Sequence, residues 1–250
     1  GDFFDDLKKI NNSKKILSAD YIFSYGKAIS DKYSKYIEFK SEIIGSFKNN
    51  LVPIKKSFKN SGKVLFISQF RMNMISRPDF YVTERKVLPI ISKFCEINNL
   101  KLFILGASKN FPGEERSFFK NILKKKVFSF IKRKKFPNNY ILIDNFDFII
   151  CIDSTLGYEA LARKKKVAVF SNRKEKEEGE EKKFGWPKNL RKKGFFFSNI
   201  ISEKEVFRVL KNVYVCNQRK WDKQTKSVLN GIIDYNYKNK KFFQTINKII

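Results

Sequence analysis

A chain of 250 residues with 42% hydrophobic and 16% aromatic side chains carries enough apolar surface for a packed core, which excludes a disordered tail. Its 53 basic and 25 acidic residues give a formal charge of +28, which suits an anionic partner: nucleic acid, an anionic membrane face or a phosphorylated substrate. The absence of histidine removes Ser-His and Cys-His nucleophile pairs, histidine general bases and most zinc sites.

The opening "GDFFDDLKKI" has neither an initiator Met nor a signal-peptide core, so the chain reads as a soluble piece of something longer. No apolar run approaches the roughly 20 residues that a membrane-spanning helix needs. "DYIFSYG" (Asp20–Gly26) predicts a strand, "KAISDKYSKYI" a helix and "EIIGS" (Glu42–Ser46) a second strand, followed by the polar "FKNNLVP". This is the end of one α/β unit and a linker, residues 1–61. From Gly62 a second series opens: "KVLFISQ" as strand, "TERKVLPIISKFCEINN" as helix, "LKLFILG" as strand and "PGEERSFFKNILKKK" as helix. The apolar runs "YILID" and "FDFIICID" follow, then a helix in "STLGYEALARK" and the strand "KVAVF". Short runs apolar on both faces, alternating with helices, predict an α/β fold with a doubly wound parallel sheet over residues 62–200. Helices over 201–250 close it, the first marked by a capping box of Ser202 and Glu205. Cys95, Cys151 and Cys216 are far apart without C-x-x-C spacing, which predicts small buried hydrophobes in a reducing, cytoplasmic setting.

In such sheets ligands bind outside the carboxyl ends of the strands, where helix N-termini present free N–H groups. Three strand ends carry polar punctuation: Ser68, Gln69 and Arg71; Gly106, Ser108 and Lys109; Asp153, Ser154 and Thr155. Hydroxyls and bare amides in a first helical turn suit a phosphate. Gly157 would let a ligand come close. Thr155 and Glu159, four apart, share a helix face, which sets a carboxylate one turn below the phosphate, within reach of ribose hydroxyls. The same residues also fit a plainer reading: Ser154 as an N-cap, Gly157 as a packing glycine and Glu159 as an exposed helix residue. No G-x-G-x-x-G or G-K-[ST] sequence is present, so dehydrogenase and P-loop readings fall away.

"IDSTLGYEALARKKKVAVFSNR", followed by "FGWPKNLRKKGFFFSN" and "CNQRKWD", resembles the carboxyl-terminal half of bacterial surface-carbohydrate glycosyltransferases of GT-B fold, capsule and lipopolysaccharide enzymes similar to Kdo transferases. "ADYIFSYGKAISDKYSKYI" with "IIGSFKNN" resembles the end of their amino-terminal domain. The resemblance implies that residues 62–200 form a Rossmann-like domain binding a nucleotide-sugar donor, while residues 1–61 end an acceptor domain for a glycan or lipid-linked acceptor. Carried over, Ser154, Thr155 and Glu159 hold the donor's phosphate and ribose, with Ser68, Gln69 and Arg71 contributing. Arg71, Lys109 and Arg173 are the candidates to stabilise the leaving phosphate, with no metal and no other cofactor. The donor sugar implied is Kdo or a related acid sugar. The resemblance nominates no catalytic carboxylate.

The segment "KKKVFSFIKRKKF" (Lys124–Phe136) interleaves Phe128, Phe130, Ile131 and Phe136 with seven basic residues. It could hold the chain at the anionic inner face of the cytoplasmic membrane through Lys124–Lys135, or bind nucleic acid, the less favoured partner, or be a solvated helix end and loop. A basic module recognising RNA or anionic membrane without catalysis is therefore the rival reading of the chain. Trp186 in "FGWPKNL" could stack on a base or sugar, or anchor its own loop. "EKEEGEE" reads as a solvated insertion or a lid.

Overall fold

The computed structural model describes residues 6, 7, 10, 17–54, 61–171 and 183–250. Near the amino terminus, β1 (Leu17–Ser24) and β2 (Ile37–Ile43) pair in parallel across α1 (Lys27–Tyr33). Strand β2 starts ahead of the Glu42–Ser46 run that predicted it, because Ile37 and Phe39 already alternate with Glu38 and Lys40. A short helix α2 (Phe47–Asn50) then carries the chain across to the larger sheet.

That sheet contains β3 (Lys63–Ile67), β4 (Lys101–Leu105), β5 (Ser129–Ile131), β6 (Phe148–Cys151), β7 (Val167–Phe170) and β8 (Phe197–Ser198). Its order is β5-β4-β3-β6-β7-β8, and every pairing is parallel. The chain winds outward from β3 to β5, returns beside β3 at β6 and winds outward again to β8. Right-handed crossovers running in opposite directions place their helices on opposite faces of the sheet and leave a crevice where the direction reverses, between β3 and β6. Strands β6 and β7 are buried at every position, as a parallel sheet covered on both sides requires. On one face, α3 (Val82–Ile97) packs against α4 (Pro112–Leu123) and α7 (Glu203–Val215). On the other, α6 (Thr155–Ala162) follows β6, with Tyr140 of α5 (Asn138–Ile143) and the 46–53 linker laid against it.

Two elements differ from expectation. "YILID" lies mostly in α5 rather than in an extended run. The third strand on the β4 side is instead β5, within the basic segment expected to be a helix end and loop. Three residues flanked by lysines carry too little apolar pattern to announce a strand, yet pairing with β4 satisfies their backbone.

The carboxyl-terminal helices also divide their work. Ser202 accepts from the Glu205 amide at 3.3 Å, so the predicted N-cap is present, but the Glu205 carboxylate turns to Arg208 at 2.9 Å. After α8 (Gln218–Leu229) the chain returns to the amino-terminal pair: the Asp234 amide donates to Tyr25 O at 2.9 Å, and Asn50 donates to Asn239 at 2.8 Å. Gly45 sits at φ +72 where a Cβ would lie 2.1 Å from Asp234 O, so only glycine fits that crossing. The last helix, α9 (Lys240–Ile249), sets Phe242 against Phe23 and Phe47 at 4.9 and 5.3 Å between ring centroids. No helix among the described residues is long and apolar enough to cross a membrane.

Candidate functional site

A cavity of about 490 Å³ opens at the carboxyl ends of β3, β4, β5 and β6, at the crevice where the winding reverses. Ser68, Gln69 and Arg71 line it from the end of β3, Gly106 and Lys109 from the end of β4, and Ser154, Thr155 and Glu159 from α6. Eight of the predicted site residues thus converge on one space. Of the other four, Ser108, Asp153 and Gly157 stand apart from the cavity lining. Ser108 borders an adjoining, shallower depression that shares Arg71, Lys109 and Arg133 with the cavity. The Asp153 amide donates to Gln69 Oε1 at 3.4 Å, which ties β6 to the β3 loop without bringing Asp153 into the cavity lining. Arg173, like most of the "EKEEGEE" insertion's surroundings, lies outside the described residues.

Gly157 fits the packing reading of the sequence and not the ligand-approach one. A Cβ there would stand 2.3 Å from Cys151 Sγ and 3.0 Å from Cys151 Cβ, so its bare face seats α6 on β6 instead of admitting a ligand. Replacing Gly157 with alanine forces the helix off the strand and should destabilise the fold by about 1–3 kcal/mol, measurable as a lowered urea midpoint. All three cysteines are unpaired and buried, as their spacing predicted.

Ser154 does occupy the N-cap position of α6, but its hydroxyl makes no capping bond, and its carbonyl accepts from Gly157 and Tyr158. Glu159 is buried, not exposed. Its Oε1 accepts from the hydroxyls of Ser46, on the linker, and Tyr140, at 3.1 Å. Desolvation pushes its carboxyl above the usual range, while those two hydroxyls and Arg163 pull the other way. Both hydroxyls donate to one oxygen, so Oε2 is the atom left for a ligand in the cavity that Glu159 lines.

The strand-end amides of β4 are committed internally. Glu115, a fully buried residue of α4, accepts from Ala107 N at 2.8 Å, Ser108 N at 2.9 Å and Ser68 Oγ. The Ser108 hydroxyl accepts from Phe111 N at 2.9 Å. The Ser108 amide is therefore committed to Glu115, while its hydroxyl, which accepts from Phe111, keeps a proton to donate toward the adjoining depression.

Sequence reasoning missed four cations. Lys48 reaches the cavity from α2, and Arg133, Lys134 and Lys135 reach it from the residues after β5. With Arg71 and Lys109 they surround a cavity whose one carboxylate, Glu159, already has two donors. Strand β5 thus splits the basic segment: Lys124–Lys126 precede the strand, while Arg133–Lys135 follow it at the cavity. The usable signal was topological, because a doubly wound sheet wants a third strand beyond β4. Phe136 stands at the cavity rim, 48% exposed and edge-on to Tyr140, and offers an aromatic face. Trp186 is half-buried outside the cavity lining, and Phe184 is the buried anchor of its loop, stacked 5.4 Å from Tyr158.

Geometry of this kind, with six cations and the N-terminus of α6 around one space, suits an anion of two or more charges.

Solved structures that share the fold include the complex of S. aureus MnaA with UDP (TM-score 0.55, 15% identity, covering 92% of this chain and 60% of that one). A Listeria monocytogenes protein described as a UDP-N-acetylglucosamine 2-epimerase gives TM-score 0.54 at 10% identity, covering 98% of this chain and 71% of that one. The wall teichoic acid polymerase TagF gives TM-score 0.50 at 12% identity, covering 92% and 57%. The chain spans 60% of the first of these and 57% of the last, so what it shares with them is the GT-B-like, Rossmann-type architecture. No curated protein matches the sequence. The model of a family assigned to O-antigen biosynthesis matches residues 1–250, and the chain belongs to that family.

Proposed function

We propose that the chain is a glycosyltransferase, or the donor-binding half of one, that transfers a sugar from a nucleotide-activated donor to a surface glycan or lipid-linked acceptor. The observation that carries this reading is the cavity at the β3–β6 crevice, of a size that suits a nucleotide and ringed by cations from four separate strand or helix ends. Membership in a family assigned to O-antigen biosynthesis supports the surface-glycan setting, and the fold is one that the UDP-bound S. aureus protein shares. The donor's phosphates lie against Ser154, Thr155, Arg71 and Lys109, and its ribose against Glu159. Residues 62–200 hold the donor, and residues 1–61 end the acceptor side. Arg133, Lys134 and Lys135 stabilise the leaving phosphate in place of a metal. Six cations exceed what a diphosphate alone would balance, which favours an acid sugar of the Kdo type as the group transferred. Peripheral contact with an anionic membrane falls to Lys124–Lys126, beside Val127, which is 89% exposed.

Arg71 provides the test. Its backbone is fixed at both ends by the Tyr81 hydroxyl, at 2.8 Å each way, so truncating the side chain leaves the loop in place. Arg71→Ala should weaken nucleoside diphosphate binding by about tenfold, the loss of one charge-assisted bond, and monophosphate binding by less. Equal affinities for wild type and variant in calorimetry would remove Arg71 and the proposed phosphate position.

A further inference from the structure

The Glu115 carboxylate occupies a position that in many strand-end loops is left for a ligand. Successive backbone amides aimed at one point form an anion-binding concavity. Here Ala107 N and Ser108 N point at Glu115 Oε1 and Oε2, and Ser68 Oγ adds a third donor. The carboxylate is fully buried and contributes nothing to the cavity lining, yet each loop it grips does: Ser68, with Gln69 and Arg71 beyond it, and Gly106, Ala107 and Lys109. The third loop is tied in through Arg133, whose guanidinium donates to Ala107 O at 3.3 Å. Gly106 is fitted to the same residue, since a Cβ there would lie 3.0 Å from Glu115 Oε2 and 2.9 Å from Phe130 Cζ.

We propose that Glu115 is a positioning residue for the anion site: it fills the amide concavity at the end of β4, fixes the β3 and β4 loops to each other, and so directs a bound anion to the cationic wall formed by Arg71, Lys109 and Arg133. This rests on the donor-binding reading of the cavity. The chain supplies its own anion where a substrate phosphate would otherwise settle. The incoming phosphate is thereby held nearer α6, and Glu115 acts through the residues it holds, without touching the ligand.

The test uses inorganic pyrophosphate as probe, titrated calorimetrically into wild type, Glu115→Gln and Glu115→Ala at a temperature where circular dichroism shows each fully folded. Glutamine keeps the Oε1 acceptor shared by Ser68 and Ala107 but turns an amide group toward Ser108 N, so one of three bonds is lost. The expected result is graded: affinity falls by roughly threefold in Glu115→Gln and by tenfold or more in Glu115→Ala, in proportion to the bonds removed. Amide hydrogen exchange at Ala107 and Ser108 should accelerate in the same order. A purely structural glutamate would lower the melting temperature and leave the affinity of the folded protein unchanged. Undiminished pyrophosphate binding in folded Glu115→Ala would overturn the positioning role while leaving the functional reading intact. Failure of the wild-type chain to bind pyrophosphate or any nucleoside diphosphate would overturn both.

Discussion

Replacing Arg163 with methionine is expected to lower the unfolding free energy by about 3–5 kcal/mol, the usual cost of leaving one member of a buried ion pair without its partner. Arg163 and Asp144 bond at 2.7 Å with side chains 0% and 2% exposed. The same guanidinium donates to Asn49 Oδ1 at 3.2 Å, to Val52 O at 2.9 Å and to Pro53 O at 2.8 Å. Three of its four acceptors therefore belong to the linker, so this side chain fastens the crossing segment to α6 and the larger sheet. The penalty comes from Asp144, which loses its direct ion-pair partner in a site without solvent, and from Asn49 Oδ1 and Pro53 O, which lose this donor, while Val52 O keeps the Tyr235 hydroxyl at 2.8 Å. A double variant, Arg163→Met with Asp144→Leu, should recover part of the loss because the carboxylate is no longer stranded, but not the share owed to Asn49 and Pro53 or to the buried Lys165, whose charge Asp144 supports. Urea unfolding followed by fluorescence measures both. A loss below about 1 kcal/mol in the single variant would mean that the guanidinium is not sealed from solvent as described.

Glu159→Ala should cost roughly 1.5–3 kcal/mol in nucleotide binding, about 10- to 150-fold in affinity, if its free oxygen receives the ribose. The alanine variant also strands the Ser46 and Tyr140 hydroxyls, so the loss mixes binding with local repacking. Glu159→Gln separates the two. Both hydroxyls donate to Oε1, which glutamine can retain, while the atom facing the ribose changes from acceptor to donor. The expected pattern is near-native stability with weakened ribonucleotide binding, and a smaller effect on the matching 2′-deoxyribonucleotide. Parallel losses for both sugars would place Glu159 among the structural carboxylates instead.

The sheet was legible because its central strands are apolar on both faces and its helices begin at polar punctuation; "IICID" into "STLGYEAL" predicted β6 and α6 to within a residue or two. Strand β5 was not, since three residues inside a lysine-rich run have no period to read, and only pairing with β4 creates the strand. The "EIIGS" run overlaps β2 only at Glu42 and Ile43, because it continues into the Gly45 crossing that glycine alone can make. At the site, residues in the first turn after a strand were readable from position. Residues whose partners arrive from far along the chain were not. Arg163 meets Val52 across 111 residues, and Glu115 looks like any acid in an exposed first turn until Ser68 and two amides are found on it. Gly157 kept two readings for a related reason: a glycine beside a ligand and a glycine beside Cys151 look the same until the neighbouring strand is in place.

Calorimetric titration of the chain with CMP, CDP, UDP, GDP and a short RNA, at low and moderate salt, tests donor binding at the β3–β6 crevice most directly. One nucleotide class should saturate with a single site and keep most of its affinity as salt rises, because amides, hydroxyls and Glu159 share the grip with the cations. Binding to RNA alone, collapsing steeply with salt and with no nucleotide bound, would contradict the donor site and make the charge of the surface the property that matters.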